Sequence, residues 1–303
     1  MSAVEIRRAF TGDERTGETL LGECPVWSEA EQVLYWVDID RHRIHRHDPQ
    51  SGHNQYRTLE GRPGSFALTV DIGRLLVAME NQLVWLDWFD GETTPWIDLE
   101  PPTTGNRLND GRTDPAGRMV VGTMWPDTSA AKTTGSLYQV SCDGSVAVLQ
   151  TDIGVPNGIA FDAERGRMYF ADSPTQMVMV ADYDTDTGER RNLRPFLDYG
   201  PLPGKPDGAC VDADGCYWSA SIYAWSLIRV TPDGTIDRRV EVPVEKPTMP
   251  AFGGPDLETL FVTSIGTAGS KPSAPGRDGF TPGDLMAIDV GVQGRPEPCF
   301  AHL

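Results

Sequence analysis

The sequence predicts an all-β, six-bladed β-propeller, and two observations carry that prediction. First, a short apolar run, an acidic or glycine-type turn and a second apolar run recur six times along the 303 residues. The turn residues lie 43, 43, 48, 50 and 42 positions apart and are Ser28, Asp71, Asp114, Asp162, Asp212 and Gly254. Second, each repeat continues into a strand of alternating apolar and polar residues that closes in a turn, often with Asp and Gly. A period of this size in β-rich segments is typical of propeller blades.

Each repeat is expected to supply four strands. The segment 158–172 (GIAFDAERGRMYFAD) shows the first two strands and their tight turn, and the segment QMVMVADYDTDTGE after it shows the third strand and its hairpin turn. The fourth strand is polar, and YRTLE (56–60) and AVLQT (147–151) are candidates for it. No long amphipathic helix is predicted.

The two ends of the chain are expected to close the ring. Segment 3–10 (AVEIRRAF) is a strand candidate outside the repeats, and the last repeat ends close to the C-terminus. Pairing these terminal strands in one blade removes an unpaired sheet edge, which would otherwise invite aggregation. We therefore expect residues 1–303 to form a single propeller domain.

Composition narrows the classes of partner. The net charge of −18, from 44 acidic and 26 basic residues, argues against nucleic acid and against an anionic membrane, because both require a basic face. No apolar run of about 18 residues occurs, and MSAVEIRRAF does not resemble a signal peptide, so a cytoplasmic location is expected. Five scattered cysteines favour reduced thiols. No obligate protein partner is inferred, and the histidine-rich segment 42–53 is expected to be a surface strand and turn.

One fixed offset across the repeats points to a site. Five residues before the six turn residues stand Glu23, Phe66, Asn109, Asn157, Asp207 and Met249. Phe66 and Met249 are expected to wall the channel, whereas the other four offer carboxylate and amide oxygens, which hard divalent cations prefer. These side chains reach the axis only if a loop or bulge interrupts the strand there, because strict alternation would place them in the same row as packing residues. The alternative is that each Asn or Asp caps its own turn.

Five motifs together resemble one known family. LGECPVW, NRLNDGRTDPAGR, GVPNGIAFD, KPDGACVDADGCYW and KPTMPAFGGPDLETLFVTS occur in order at propeller spacing between about residues 18 and 290. They resemble the senescence marker protein, gluconolactonase and luciferin-regenerating enzyme family of regucalcin-like sugar lactonases. The resemblance implies a six-bladed propeller with one divalent metal ion at the mouth of the central channel.

The resemblance also divides the polar residues by role. It implies Glu23, Asn157 and Asp207 as metal ligands, with Arg107 and Asn109 contacting substrate. Asp127, in the stretch 124–134, aligns with an acidic substrate contact. Ca²⁺ is the first choice of cation, with Mn²⁺, Mg²⁺, Zn²⁺ or Fe²⁺ as alternatives. Cys24 stands where the family pattern usually has glycine.

The expected activity is hydrolysis of a sugar lactone, such as gluconolactone, xylonolactone or arabinonolactone, to its aldonic acid. The cation would act as a Lewis acid on the ring carbonyl, and Asp207 would be the general base. Three alternatives stay open at this point: a promiscuous metal-dependent esterase or phosphotriesterase, a calcium-binding regulatory propeller, and a protein-interaction propeller. No G-x-S-x-G motif occurs, which argues against a serine hydrolase.

Overall fold

The chain forms six four-stranded antiparallel sheets, as the computed structural model describes them for residues 4–13 and 16–301. Each sheet is one blade, and in five of them the four strands are consecutive in sequence and in space. This arrangement confirms the predicted all-β, six-bladed propeller, and the repeat period therefore corresponds to one blade.

The first three blades follow the first three repeats. Blade I consists of β2 (Gly22–Ser28), β3 (Val33–Asp38), β4 (Arg43–His47) and β5 (Asn54–Thr58). Blade II consists of β6 (Pro63–Leu68), β7 (Arg74–Met79), β8 (Gln82–Asp87) and β9 (Thr93–Asp98). Blade III consists of β10 (Arg107–Thr113), β11 (Met119–Met124), β12 (Gly135–Val140) and β13 (Val146–Ile153).

The last three blades complete the ring. Blade IV consists of β14 (Pro156–Asp162), β15 (Arg167–Asp172), β16 (Met177–Tyr183) and β17 (Arg190–Asp198). Blade V consists of β18 (Lys205–Val211), β19 (Tyr217–Ile222), β20 (Ser226–Val230) and β21 (Ile236–Glu241). Blade VI consists of β22 (Pro247–Gly253), β23 (Thr259–Ser264), β24 (Leu285–Asp289) and β1 (Glu5–Phe10).

Blade VI joins the two ends of the chain. Its outer strand β1 pairs antiparallel with β24, and Glu5 lies opposite Asp289. The predicted closure is therefore present in the part of segment 3–10 that the structure describes; residue 3 lies outside the described residues. Further along, Phe300 is fully buried between blades II and III, so the C-terminal segment crosses the ring after closing it.

The first two strands of each blade are almost wholly buried because neighbouring blades cover both of their faces. Third strands such as β4, β8 and β16 are partly exposed, and the fourth strands are largely exposed. Short 3₁₀ turns at Pro102–Thr104, Thr128–Ala130 and Ser173–Thr175 are the helical elements of the described residues. Among those residues no helix is long and apolar enough to cross a membrane. All five cysteines are free thiols, as the sequence indicated.

The histidine-rich strand is a correction to the sequence analysis. His45 and His47 were expected on the surface, but they are 2% and 1% exposed on β4. The ring of His45 stacks on Trp36 with centroids 4.7 Å apart, and Phe10 of the closing strand lies within 6.0 Å of both histidine rings. The sequence of β4 alone does not show that a distant strand will cover it.

Candidate active site

A β-bulge in the innermost strand of each blade brings the predicted residues to the channel. The pairing between the first and second strands shifts register in all six blades, directly after Glu23 in blade I and Asn157 in blade IV. In blade V the shift lies between Pro206 and Ala209 and so spans Asp207. A bulge re-aims side chains that strict alternation would place in the packed row. The interruption that the site requires is therefore present.

Cys24, which stands where the family pattern usually has glycine, has a left-handed backbone conformation. Its backbone has φ of +48°, and Gly158, which follows Asn157 in the same register, has φ of +62°. Glycine adopts this left-handed region without steric cost, and other residues do so rarely. Cys24 thus adopts a backbone conformation that glycine favours, directly after Glu23.

Hydrogen bonds between amide side chains tie blade III to blade IV. Asn109 Nδ2 donates to Asn157 Oδ1 at 3.0 Å, and Arg107 Nη1 donates to Asn109 Oδ1 at 2.8 Å. Asn157 in turn donates through Nδ2 to Ser173 Oγ at 2.8 Å, and that hydroxyl donates to Pro206 O beside Asp207. The network fixes the orientation of Asn157, so that its oxygen faces the channel side and keeps a second lone pair.

The two carboxylates of the set have no such partners. Within residues 4–13 and 16–301, no hydrogen bond or ion pair reaches Glu23 or Asp207. Burial raises the pKa of Glu23 well above its usual range, and the nearby Asp207 and Asp110 carboxylates raise it further. Burial likewise raises the pKa of Asp207 to about 8, although Lys271 opposes the shift. Two neighbouring carboxylates without donors, one half-buried and one buried, are a destabilising arrangement unless a cation lies between them.

The donor set fits a hard divalent cation. Glu23, Asp207 and the oriented amide oxygen of Asn157 supply oxygen only, which suits Ca²⁺, Mg²⁺ or Mn²⁺. The described part of the chain holds no group of three or more His, Cys, Asp or Glu side chains suited to a metal ion. The candidate contains two carboxylates and one amide, and its assignment as a metal site stays a prediction.

Two adjoining cavities open beside these residues. One, of about 290 Å³, is lined by Asn157, Asp207 and Tyr223, and the other, of about 350 Å³, is lined by Arg107 and Asp127. Thr128 and Lys271 line both cavities, so the stretches 124–134 and 266–282 form their rim. These are two of the three irregular stretches in the sequence. Asn157 and Asp207 therefore line a cavity that adjoins the one lined by Arg107 and Asp127.

Arg107 lies deep in this space. It is 6% exposed, and burial, reinforced by Arg62, lowers its pKa to about 10. Its Nη1 bonds to Leu108 O and Asn109 Oδ1, and no hydrogen bond from a described residue reaches Nε or Nη2. These donors therefore remain for a ligand in the cavity.

Asp127 lies at the exposed rim rather than deep in the site. Its Oδ1 accepts hydrogen bonds from Ser129 N at 3.0 Å and Ser129 Oγ at 2.6 Å, and these bonds lower its pKa. The carboxylate is partly occupied in capping the Thr128–Ala130 turn. Its role as a substrate contact stays a prediction.

Replacing Asp127 by alanine should therefore raise KM about two- to tenfold and leave kcat nearly unchanged, because one rim hydrogen bond contributes about 0.5–1.5 kcal/mol. Steady-state kinetics with an aldonolactone provide the measurement, and Asp127→Asn is the matched variant. A fall in kcat of the same size as the fall in kcat/KM would instead show a role in the transition state.

Sequence reasoning missed Lys271, Arg62 and Ser173. Lys271 comes from the loop between β23 and β24, and Ser173 follows β15, whereas Arg62 precedes β6. None of the three stands at the fixed offset of the repeat. The irregular composition of 266–282 predicts a loop, but it does not indicate that Lys271 of this loop lines the two cavities.

The six-bladed propeller fold is the class of protein to which this chain belongs, and comparison with known proteins identifies the family. The model of the SMP-30/Gluconolactonase/LRE-like region matches residues 21–266, and the chain belongs to that family.

Two sequence relatives are equally similar. The chain is 38% identical to pentonolactonase XacC of Haloferax volcanii over 287 residues, covering 91% of this chain and 93% of the relative. It is also 38% identical to 6-deoxy-6-sulfogluconolactonase of Pseudomonas putida, covering 93% and 96%. Among solved structures, a calcium-binding regucalcin from Agrobacterium tumefaciens superimposes with a TM-score of 0.83 at 29% identity, covering 94% of this chain and 95% of that one.

Proposed function

We propose that this protein hydrolyses a sugar aldonolactone to its aldonic acid with the help of one divalent cation. The observation that carries the proposal is the pair of neighbouring carboxylates, half-buried Glu23 and buried Asp207, which have no hydrogen-bond partner among the described residues. Arg107, which is bonded to Asn109, lines the adjoining cavity. The relatives named as lactonases support this chemistry, and the regucalcin described as calcium-binding supports Ca²⁺ as the first choice of cation.

Glu23, Asn157 and Asp207 would hold the cation. When bound, it would polarise the lactone carbonyl and favour ionisation of water nearby. Asp207 retains a second carboxylate oxygen, which takes a proton from the attacking water as the new C–O bond forms at the carbonyl carbon. The bond from that carbon to the ring oxygen then breaks. Asp207 passes the proton to the ring oxygen, which leaves as a hydroxyl of the aldonic acid, and the Asp207 carboxylate is ionised again.

Arg107 and Asn109 hold the substrate. Arg107 presents Nε and Nη2 to the cavity, and its bond to Asn109 fixes both side chains before substrate arrives. Donors that are already oriented stabilise developing negative charge without a cost of reorganisation. The neutral, hydroxyl-rich lactone ring suits a wall of amide, guanidinium and carboxylate groups.

The test is a chelation assay with gluconolactone, xylonolactone and arabinonolactone. Acid release should fall to the spontaneous rate in EDTA and return on adding Ca²⁺, Mn²⁺, Mg²⁺ or Zn²⁺, with the best ion identifying the cofactor. Enzyme-dependent hydrolysis that is unaffected by exhaustive chelation would contradict the proposal.

The same experiment separates the alternatives. Tight Ca²⁺ binding by calorimetry with no turnover of any lactone would favour a regulatory propeller, and turnover of phosphotriesters in preference to lactones would favour the promiscuous hydrolase. Four polar side chains stand at one fixed offset of the repeat, namely Glu23, Asn109, Asn157 and Asp207. This pattern argues against a propeller that serves only for protein interaction. A cytoplasmic location and a single domain over residues 1–303 stay predictions.

A further inference from the structure

Two cationic side chains that line the larger of the two cavities have nitrogen atoms without a hydrogen-bond partner among the described residues. No hydrogen bond from the described residues reaches Arg107 Nε, Arg107 Nη2 or Lys271 Nζ. Lys271 is half-buried, and burial lowers its pKa, with the neighbouring Arg107 acting in the same direction and Asp207 opposing it. Like charges are held together here at an electrostatic cost, in a chain whose net charge is −18.

The acidic groups on the same wall are already engaged elsewhere. Asp40 Oδ2 accepts a hydrogen bond from Ser270 N at 2.7 Å, and Asp127 caps its own turn through Ser129. The third cation of this cavity, Arg62, forms a two-pronged ion pair with Glu80, with both N–O distances at 3.0 Å. Among the described residues, no carboxylate of this cavity forms a direct bond to Arg107 or Lys271, although Asp40 and Asp207 lie near enough to raise the pKa of Lys271.

The loop that carries Lys271 is held on both sides. Asp40 binds the backbone of Ser270 just before it, and Lys246 Nζ donates to Lys271 O and Pro272 O. Ala274 N, slightly further on, donates to Glu245 Oε2 at 2.8 Å. These bonds hold the backbone of the loop on both sides of Lys271, so a ligand need not order the loop itself, which reduces the entropy lost on binding.

Arg107 lines only the larger of these two cavities, whereas Lys271 lines both of them. A lactone whose carbonyl lies at the carboxylates would direct its distal carbons toward Arg107 and Lys271. Guanidinium and ammonium groups bind carboxylate, phosphate and sulfonate oxygens through charge-assisted hydrogen bonds.

We propose that Arg107 and Lys271 form an anion-binding subsite, and that the preferred substrate is an aldonolactone with an anionic group on the carbon farthest from the lactone carbonyl. This inference rests on the proposed function. It also distinguishes between the two equally similar relatives, one named for a pentonolactone and one for a sulfonated lactone.

A matched pair of substrates tests it. D-glucaro-1,4-lactone and D-glucono-1,4-lactone differ only at the sixth carbon, which carries a carboxylate in the first and a hydroxymethyl group in the second. At low ionic strength kcat/KM should be about tenfold or more higher for the anionic lactone, the size expected of a charge-assisted hydrogen bond. The 6-phosphorylated and 6-sulfonated glucono-1,5-lactones, each compared with glucono-1,5-lactone, identify which anion is preferred.

Variants identify the residue responsible. Lys271→Met should lower the ratio of anionic to neutral kcat/KM by about tenfold, mainly through KM, because one charge-assisted hydrogen bond is lost. Lys271→Arg should retain the ratio. Arg191→Met, which removes an equal charge from the exposed outer strand of blade IV, is the control and should leave the ratio unchanged.

A binding measurement separates this inference from the lactonase proposal. Calorimetry should show 6-phosphogluconate binding about tenfold or more tightly than gluconate, with Lys271→Met removing the difference. Such a preference without turnover of any lactone would retain the subsite and reject the proposed reaction. Equal binding and equal turnover of the anionic and neutral members, or an equal loss of both in Lys271→Met, would overturn the subsite.

Discussion

Replacing Asp207 by alanine is expected to lower kcat/KM for an aldonolactone by about 10³-fold or more, because the change removes both a ligand of the cation and the proposed general base. The side chain lies in the register shift of β18 and is 6% exposed, without a hydrogen bond from any described residue. Little native packing depends on it, so the loss should appear in kcat rather than in folding. Kinetics at saturating cation, with thermal unfolding measured in parallel, provide the test.

Two further variants test whether a loss of activity in Asp207→Ala comes from the carboxylate of Asp207 itself. Asp207→Asn keeps the shape and one ligand oxygen but cannot accept the proton, so added cation should restore binding of the ion but not turnover. Asp186→Ala removes a carboxylate from an exposed turn of blade IV and should leave activity unchanged. Full activity in Asp207→Ala would exclude this residue as ligand and as base.

The second large effect is a dependence of stability on pH that the cation reverses. Folding raises the pKa of Asp207 from its ordinary value of 3.8 to about 8, and burial raises that of Glu23 as well. Between these values the folded state binds more protons than the unfolded state. The free energy of unfolding of the metal-free protein should therefore fall as pH rises from about 4 to about 8. Below this window both states are protonated, and the contribution is fully present.

A bound cation should stabilise the folded protein most at those pH values at which Glu23 and Asp207 are ionised. An ion at 100 times its Kd stabilises the folded state by about 2.7 kcal/mol. We expect Ca²⁺ to raise Tm by about 5 °C or more at pH 8 and by much less at pH 4.5, where protons compete for the ligands. Thermal unfolding with EDTA or Ca²⁺ across this range provides the measurement.

Glu23→Gln is the matched variant for the stability experiment. It removes one buried charge without changing side-chain size, so the metal-free protein should be more stable than the wild type at pH 8 while the gain on adding Ca²⁺ shrinks. A gain in Tm that is the same at pH 4.5 and pH 8, or unchanged in this variant, would contradict the assignment of the carboxylate pair.

The fold could be predicted from the sequence because the blade is a local, repeated unit. Turn residues such as Asp114 and Asp162 mark each hairpin, and the pairing that follows is between adjacent strands. Ring closure could also be predicted, since β1 was the strand left over after the repeats. Local patterning therefore accounts for nearly all of the architecture.

The site was only partly predictable, for a physical reason. Glu23, Asn157 and Asp207 share one register, so the repeat brings them together, and the family resemblance divides their roles. Lys271 belongs to a loop whose path is set by contacts with Asp40 and Lys246, both distant in sequence. His45 shows the same limit in the core, because Phe10, which covers it, belongs to a strand of another blade. Contacts between distant segments do not appear in a local pattern.

The central claim is that Glu23, Asn157 and Asp207 bind one divalent cation at the mouth of the channel. Anomalous diffraction from crystals grown with Mn²⁺ tests it most directly. We predict one strong anomalous peak in contact with Glu23 and Asp207 carboxylate oxygens and with Asn157 Oδ1, absent from crystals of Glu23→Gln grown in the same way. Ordered side chains with no peak between them, or a peak bound elsewhere, would contradict the claim.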